Sequence, residues 1–395
     1  MRQGFRFHPP DLPVPPGVFW ALQRAFSPLG STVALTETPQ ERLLTANRLG
    51  LLPRISARQP QSVLEQELGT EAAQKLILRT RVQMAQGLAI EATQRQISAV
   101  AQSEHIPIVL LKFAALYAKK KVTVASRAAC DLDILVTPKD VPRLTEKLIA
   151  LGFSRLNLHS PAHQPVVLKS PSSVAIELHV HLPYVRTSEG GPFADLPNLQ
   201  KAELLERYQP ENVVVFLPKD ELLIAHLIAH GIAQHGFEPK TYPLLRMVSD
   251  LFDLGVAITD SFDSQVFPLA STDVSREEVL ALVQLAVILR ESNIATGWKE
   301  NDGASRMLRH FVLSALNEQY QAQVLFRRTV VGIEDVGLIA ATREFLQYAF
   351  FLPDDHVRYL DNHPSRNVLL VRLMRPFKFA HRAVKRLVVA LGKGR

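Results

Sequence analysis

Apolar and polar positions follow two different periods along this chain, and the change of period divides it. Between 61 and 104 apolar residues recur at helical spacing, at Ala73, Leu76 and Ile77 and then at Val82, Ala85, Leu88 and Ala89. Residues three and four apart share a helix face, so this spacing predicts one long helix. His105, Ile106 and Pro107 end it, because the residue before a proline avoids the helical region. Residues 36–60 also read as helical, with breaks at Pro53 and Pro60. The first 30 residues carry six prolines, which leaves room for one short docking helix around Phe19, Trp20, Leu22 and Phe26.

From Ile108 the pattern shortens. Residues 108–111 form a β-rich run, 113–120 a helix, and 132–136 a second strand. Pro138 opens an amphipathic helix with Val141, Leu144, Leu148 and Leu151 on one face and Gly152 as its C-terminal cap. Residues 153–158, 166–169 and 174–181 read as strands, the last two joined by a turn at Ser170, Pro171, Ser172 and Ser173. After a loop-like stretch at 187–197 the chain turns mostly helical, at 219–235, 244–256, 276–293, 306–316 and 335–351. The expectation is an α+β fold, a small mixed β-sheet core with N-terminal and C-terminal helical regions. Its divisions are a Pro-rich segment (1–35), a helical region (36–105), the core (106–186), a helical domain (198–355) and a tail (356–395).

Composition changes this picture in three places. No apolar run reaches the roughly 18 residues that span a bilayer, and the N-terminus lacks a signal peptide's apolar core, so a cytoplasmic protein is expected. Cys130 is the single cysteine, which excludes a disulfide framework and any multi-cysteine metal site. The net charge of +7 sits in the tail: from His356 onward there are ten Lys/Arg and one acid, leaving the rest near −2. Within that tail Phe377, Ala380, Val384, Val388 and Leu391 form one helical stripe, with Lys378, Arg382, Lys385 and Arg386 on another face. Residues 377–391 therefore suit an anionic membrane surface or an acidic partner, making the protein membrane-peripheral at most.

The candidate chemistry lies at the strand ends. Asp131 and Asp133 open the apolar run Ile134, Leu135, Val136, and residues i and i+2 of a strand point to one face. Unpaired carboxylates at the mouth of a buried strand are costly unless a cation meets them. Glu177, flanked by Ile176 and Leu178, offers a third carboxylate on another strand. Such a set suits Mg²⁺ or Mn²⁺, hard ions that take carboxylate oxygens. Lys112 and Arg127 flank the acids as phosphate contacts; Lys112 equally suits a snorkelling strand end, and Arg127 a pair with Asp131 or Asp133. His179 and His181 share a strand face, and His226 and His230 a helix face; both pairs suit packing or hydrogen bonding better than ligation. Arg246 and Asp250 stand at i and i+4 on a helix and suit an ion pair.

These residues also occur in a recognisable order. Ile106 to Lys112, then Ala114 to Tyr117, then Arg127 four before Asp131, resemble the "IPVVLLKG", "ALA…Y" and "R…DIDLLV" segments of the uncharacterised nucleotidyltransferase family, within the polymerase-β-like superfamily. Leu151, Gly152 and Phe153 resemble its "LGF", Ile176 to His179 its "xELHW", and His226 to His230 with Leu245 to Asp250 its helical "H…H" and "LRWLxD" segments. The resemblance spans roughly residues 60–260. It implies a nucleotidyltransferase core that moves a nucleotidyl group from a nucleoside triphosphate to a hydroxyl of an unknown acceptor. Asp131, Asp133 and Glu177 would bind metal and act in catalysis, with Lys112 and Arg127 on the nucleotide. Phe113 stands where the family has glycine, and a side chain there crowds the triphosphate. That departure supports the alternative of a degenerate nucleotidyltransferase fold kept as a binding or scaffold protein.

Overall fold

The computed structural model describes residues 9–10, 12–27, 35–156, 163–187, 194–210, 213–234, 244–259, 262–269, 275–291, 302–318 and 320–321, with isolated positions 374 and 377. The expected helix at 335–351 and, apart from Phe377, the amphipathic stripe of 377–391 lie outside the described residues. Among the described residues no helix is long and apolar enough to cross a membrane. The fold is α+β, built on a seven-stranded mixed sheet.

The sheet forms from β1 (Ile108–Leu110), β2 (Asp131–Val136), β3 (Ser154–Leu156), β4 (Val166–Lys169), β5 (Ala175–His179), β6 (Leu205–Tyr208) and β7 (Val215–Pro218), in the order β3-β4-β5-β2-β1-β7-β6. β1 and β2 are antiparallel, with Val109 opposite Leu135. β2 and β5 are parallel, with Asp131 opposite Ala175, Asp133 opposite Glu177 and Leu135 opposite His179. Strand alternation then places Asp131, Asp133, Glu177 and His179 on one face. Leu132, Ile134, Ile176 and Leu178 take the other and are fully buried. Residues beyond 198 read as mostly helical, with no strand expected there, yet two strands come from that stretch. β7 runs parallel to β1 at Val109 and Phe216, and β6 covers its outer edge. Both are four-residue strands set in a stretch whose dominant period is helical.

Helices α1 (Val18–Phe26), α2 (Pro39–Arg48), α3 (Leu52–Arg58) and α4 (Gln61–Leu68) precede the long α5 (Thr70–Ser103). α1 is the expected docking helix, with Trp20, Leu22 and Phe26 buried. Its indole donates to Glu67 Oε2 (2.9 Å), and Arg24 pairs with the same carboxylate. The buried stripe of α5 is Ala73, Leu76, Thr80, Gly87, Ile90, Gln94, Ile97 and Ala101. This corrects the expected one: Val82 and Leu88 face solvent. Close approach decides the choice, since a Cβ on Gly87 would stand 2.8 Å from the Val124 side chain.

The remaining helices are α6 (Lys112–Ala118), α7 (Val141–Ala150), α8 (Leu196–Lys201), α9 (Asp220–Ala229), α10 (Leu244–Asp253), α11 (Arg276–Arg290) and α12 (Gly303–Leu316). α5 packs on α7 and β2, α9 on α6 and β7, and α10, α11 and α12 follow one on the next. Arg54 of α3 clamps Asp253 of α10 with two bonds (2.6 and 2.9 Å), tying the N-terminal helices to the C-terminal ones.

Candidate active site

The site assembles where β2 leaves its preceding loop and α6 leaves β1. Leu111 N–H donates to the Asp133 carbonyl (3.1 Å), which seats the start of α6 beside β2. The next residue, Lys112, takes a left-handed backbone (φ 46°). That conformation costs a lysine about 1 kcal/mol and turns its side chain back across the strand end. Lys112 Nζ reaches Asp133 Oδ1 at 2.8 Å. His179 Nε2 meets the same oxygen at 2.9 Å and stands 3.6 Å from Glu177 Oε2. Asp133 and His179 are buried, and Glu177 and Asp131 are half-buried toward the mouth.

Charge is distributed unequally over these groups. Burial would raise the Asp133 carboxyl, but Lys112 and His179 outweigh it and hold Asp133 well below the usual carboxylate range. Burial and the charge of Asp133 push Asp131 up to about 6. Burial would lower Lys112, and the three carboxylates raise it instead. His179 is likewise raised, its burial outweighed by its bonds to Asp133 and Glu177. Burial, then His179 and His181, lower His163 to about 4. Burial lowers His226 to about 3, with Lys112 adding to it, and burial alone does the same to His310.

These shifts set a stability profile. An unfolded histidine takes up its proton near pH 6.5, whereas His226 and His310 stay neutral in the fold to about 3. From pH 6 to 4 the unfolded chain thus binds two protons that the folded one refuses. Asp131 opposes them, since the folded state binds its proton from about 6 downward and the unfolded state only near 4. His163, lowered to about 4 and only partly buried, adds up to one more proton on the same side, so the balance is one to two protons in favour of unfolding and stability is expected to fall about 1.4–2.7 kcal/mol per pH unit as pH drops from 6 to 4. Denaturant unfolding at pH 6, 5 and 4 measures it, and a flat or rising profile contradicts it.

Of the residues singled out from sequence, the structure brings Asp133, Glu177 and Lys112 into one cluster, with Asp131 on the same face nearer the mouth. Arg127 is engaged elsewhere: its Nε and Nη2 hold both oxygens of Asp250 (2.6 and 2.9 Å), and its guanidinium lies 5.6 Å from the Phe113 ring. Asp250, read as a partner of Arg246 one turn away, gives both its oxygens to Arg127 from 123 residues away. Phe113 is buried and stacks on Tyr117 at 5.9 Å. The left-handed turn falls on Lys112, one residue before the position where the family carries glycine.

Three histidines join the cluster. His179 shares the face of Glu177 by its i+2 spacing, a signal visible in sequence that favoured packing. His163 stacks on His179 at 5.7 Å, and its carbonyl accepts from Val180 N–H (2.8 Å). No pattern points to it, because only chain folding brings it there. His226 is buried on α9 and senses the charges of Lys112, His179 and Asp133, so this helix backs onto the site. Cys130 borders Asp131, and burial, with that carboxylate, pushes its thiol up to about 11, which makes it a poor nucleophile.

The donor set fits a divalent cation. Asp133, Glu177 and His179 each offer one ligand atom, all within 4.8 Å of one another. The family model described as "Uncharacterised nucleotidyltransferase" matches residues 36–289, well over half of the chain and beyond the span of the sequence motifs at both ends. No curated protein matches the sequence. With its mixed sheet, its paired acids in register on parallel strands and this match, the chain belongs to the uncharacterised nucleotidyltransferase family.

Proposed function

We propose that the protein transfers a nucleotidyl group from a nucleoside triphosphate to a hydroxyl of an acceptor molecule. The observation that carries this reading is the register of Asp133 against Glu177 on adjacent parallel strands, with Asp131 and Lys112 at the same end. Asp133 and Glu177 hold Mg²⁺ or Mn²⁺, and Asp131 joins them once ionised. A divalent ion held there would neutralise triphosphate charge and polarise the α-phosphoryl group. The acceptor oxygen attacks the α-phosphorus, the bond to the bridging oxygen breaks, and pyrophosphate leaves. Glu177, the more exposed carboxylate of the pair, takes the hydroxyl proton. Lys112 exchanges Asp133 for the phosphate oxygens, acting as a compact point charge. Arg127, fixed by Asp250 over Phe113, supplies a stationary positive charge near Asp131, so it positions rather than follows the phosphates.

Turnover of labelled nucleoside triphosphates by purified protein with Mg²⁺ or Mn²⁺ tests the reading. The Asp131→Ala/Asp133→Ala double variant is expected to lose at least about 10²–10³-fold in rate, the scale of removing one preorganised electrostatic group. Activity that persists in that variant sinks the assignment of the site. Phe113 favours a second reading, a fold that binds nucleotide without turning it over. Calorimetric titration separates the two, since Mg²⁺-dependent nucleotide binding with no transfer under any acceptor condition supports the second.

A further inference from the structure

The geometry around Asp133 bears on the identity of the ion. His179 Nε2 lies 2.9 Å from Asp133 Oδ1 and 3.6 Å from Glu177 Oε2. Two donors each about 2.1 Å from one ion are about 3.0 Å apart at a right angle and about 3.4 Å apart at the tetrahedral angle. The imidazole nitrogen therefore already stands from both carboxylates at nearly the edge length of a coordination polyhedron. The ring is also held in place. His179 is 2% exposed, its strand is paired on both sides, and the His163 ring lies against it at 5.7 Å. Withdrawing it to solvent would require β5 to shift.

A nitrogen donor changes which ion is preferred. Mg²⁺ seeks near-octahedral oxygen ligands and keeps its waters, whereas imidazole suits borderline divalent ions such as Co²⁺ and Zn²⁺ better, and Mn²⁺, though hard, gives up water for a nitrogen donor more readily than Mg²⁺. Building on the proposed function, in which Asp133 and Glu177 hold the ion, we propose that His179 is itself a metal ligand and that the mixed nitrogen–oxygen set selects a first-row transition-metal ion, Mn²⁺ included, over Mg²⁺. Lys112 Nζ occupies the same Asp133 oxygen at 2.8 Å. Its ammonium stands in for the ion there and yields when a divalent cation takes its place.

The test uses the full chain, stripped with a chelator and then loaded with Mn²⁺. Pulsed EPR is expected to show a directly bonded nitrogen on Mn²⁺, present in wild type and in His163→Gln and absent in His179→Gln. Calorimetry is expected to show Mn²⁺ binding at least about tenfold tighter than Mg²⁺. His179→Gln should weaken Mn²⁺ binding at least about tenfold and Mg²⁺ binding less than about threefold. Bound Mn²⁺ without nitrogen coupling, or an equal loss for both ions, overturns the inference and leaves His179 as the hydrogen-bond partner that orients Asp133. Should His179→Gln fail to fold, the wild-type and His163→Gln spectra still decide, and coupling lost in His163→Gln moves the nitrogen to the wrong ring and overturns it. A chain that binds neither ion overturns the nucleotidyl-transfer reading as well. Coupling seen together with no nucleotide transfer leaves the ligand assignment standing and removes only that reading.

Discussion

Asp250→Ala is expected to destabilise the fold by about 3–5 kcal/mol, the usual cost of stranding one half of a buried ion pair. Asp250 is fully buried, and the Arg127 side chain is only 9% exposed. Alanine would leave the guanidinium beside Phe113 without its two-pronged carboxylate partner, and arginine cannot shed its proton to escape. The pair also spans two layers, since Arg127 precedes β2 and Asp250 lies on α10. Its loss should therefore loosen α10 from the sheet as well as cost energy. Urea unfolding of Asp250→Ala, Arg127→Leu and the double Arg127→Leu/Asp250→Leu variant measures it. The double variant is expected to be more stable than Asp250→Ala, because no lone charge remains. A loss below about 1 kcal/mol in Asp250→Ala would show the pair to be solvated like a surface bridge.

Asp133→Asn is the second large effect. Two buried partners, the Lys112 ammonium and the His179 imidazole, converge on one Asp133 oxygen. The amide keeps the shape and removes the charge, so the Lys112 ammonium is left in the interior with only Glu177 and Asp131 to answer it. The expected cost is about 3 kcal/mol, partly relieved if Lys112 gives up its proton. Adding Lys112→Met should recover much of the loss, and the double-mutant cycle should show a coupling of about 1–3 kcal/mol. Simple additivity of the two substitutions would mean that Lys112 does not neutralise Asp133 in the folded protein. Nucleotide transfer is expected to vanish in Asp133→Asn at temperatures where it remains folded, which separates the loss of the site from the loss of the fold.

The two effects differ in how visible they were beforehand. The Asp133 site could be read from spacing. Asp131, Asp133, Ile134 to Val136 and Glu177 sit in runs whose period puts the acids on one face of each strand, and the order of motifs around them identified the family. The long helix before the sheet and the strands at 166–169 and 174–181 were equally visible. Asp250 was not. Its nearest candidate by spacing is Arg246 on the same helix, yet its two oxygens go to Arg127 from the loop before β2. His163 and the outer strands β6 and β7 were hidden for related reasons. One sits in a turn with no periodic neighbours, and the others lie in a stretch whose dominant period is helical.

The sequence by itself determined which residues share a face, because helix and strand periods are properties of consecutive residues. That reached Asp131 with Asp133, Glu177 with His179, and the apolar strips beneath them. Only the tertiary structure decided which faces meet. Parallel pairing of β2 with β5 set Asp133 against Glu177 and brought His179 onto the same carboxylate. Burial then decided charge: a carboxylate held by Lys112 and His179 stays ionised, while its neighbour two residues away is pushed up to about 6. Contacts between distant segments depend on the three-dimensional path of the whole chain, and the energy of a charge depends on what surrounds it. Neither is a local property of the sequence, which is why the acids were legible and their partners were not.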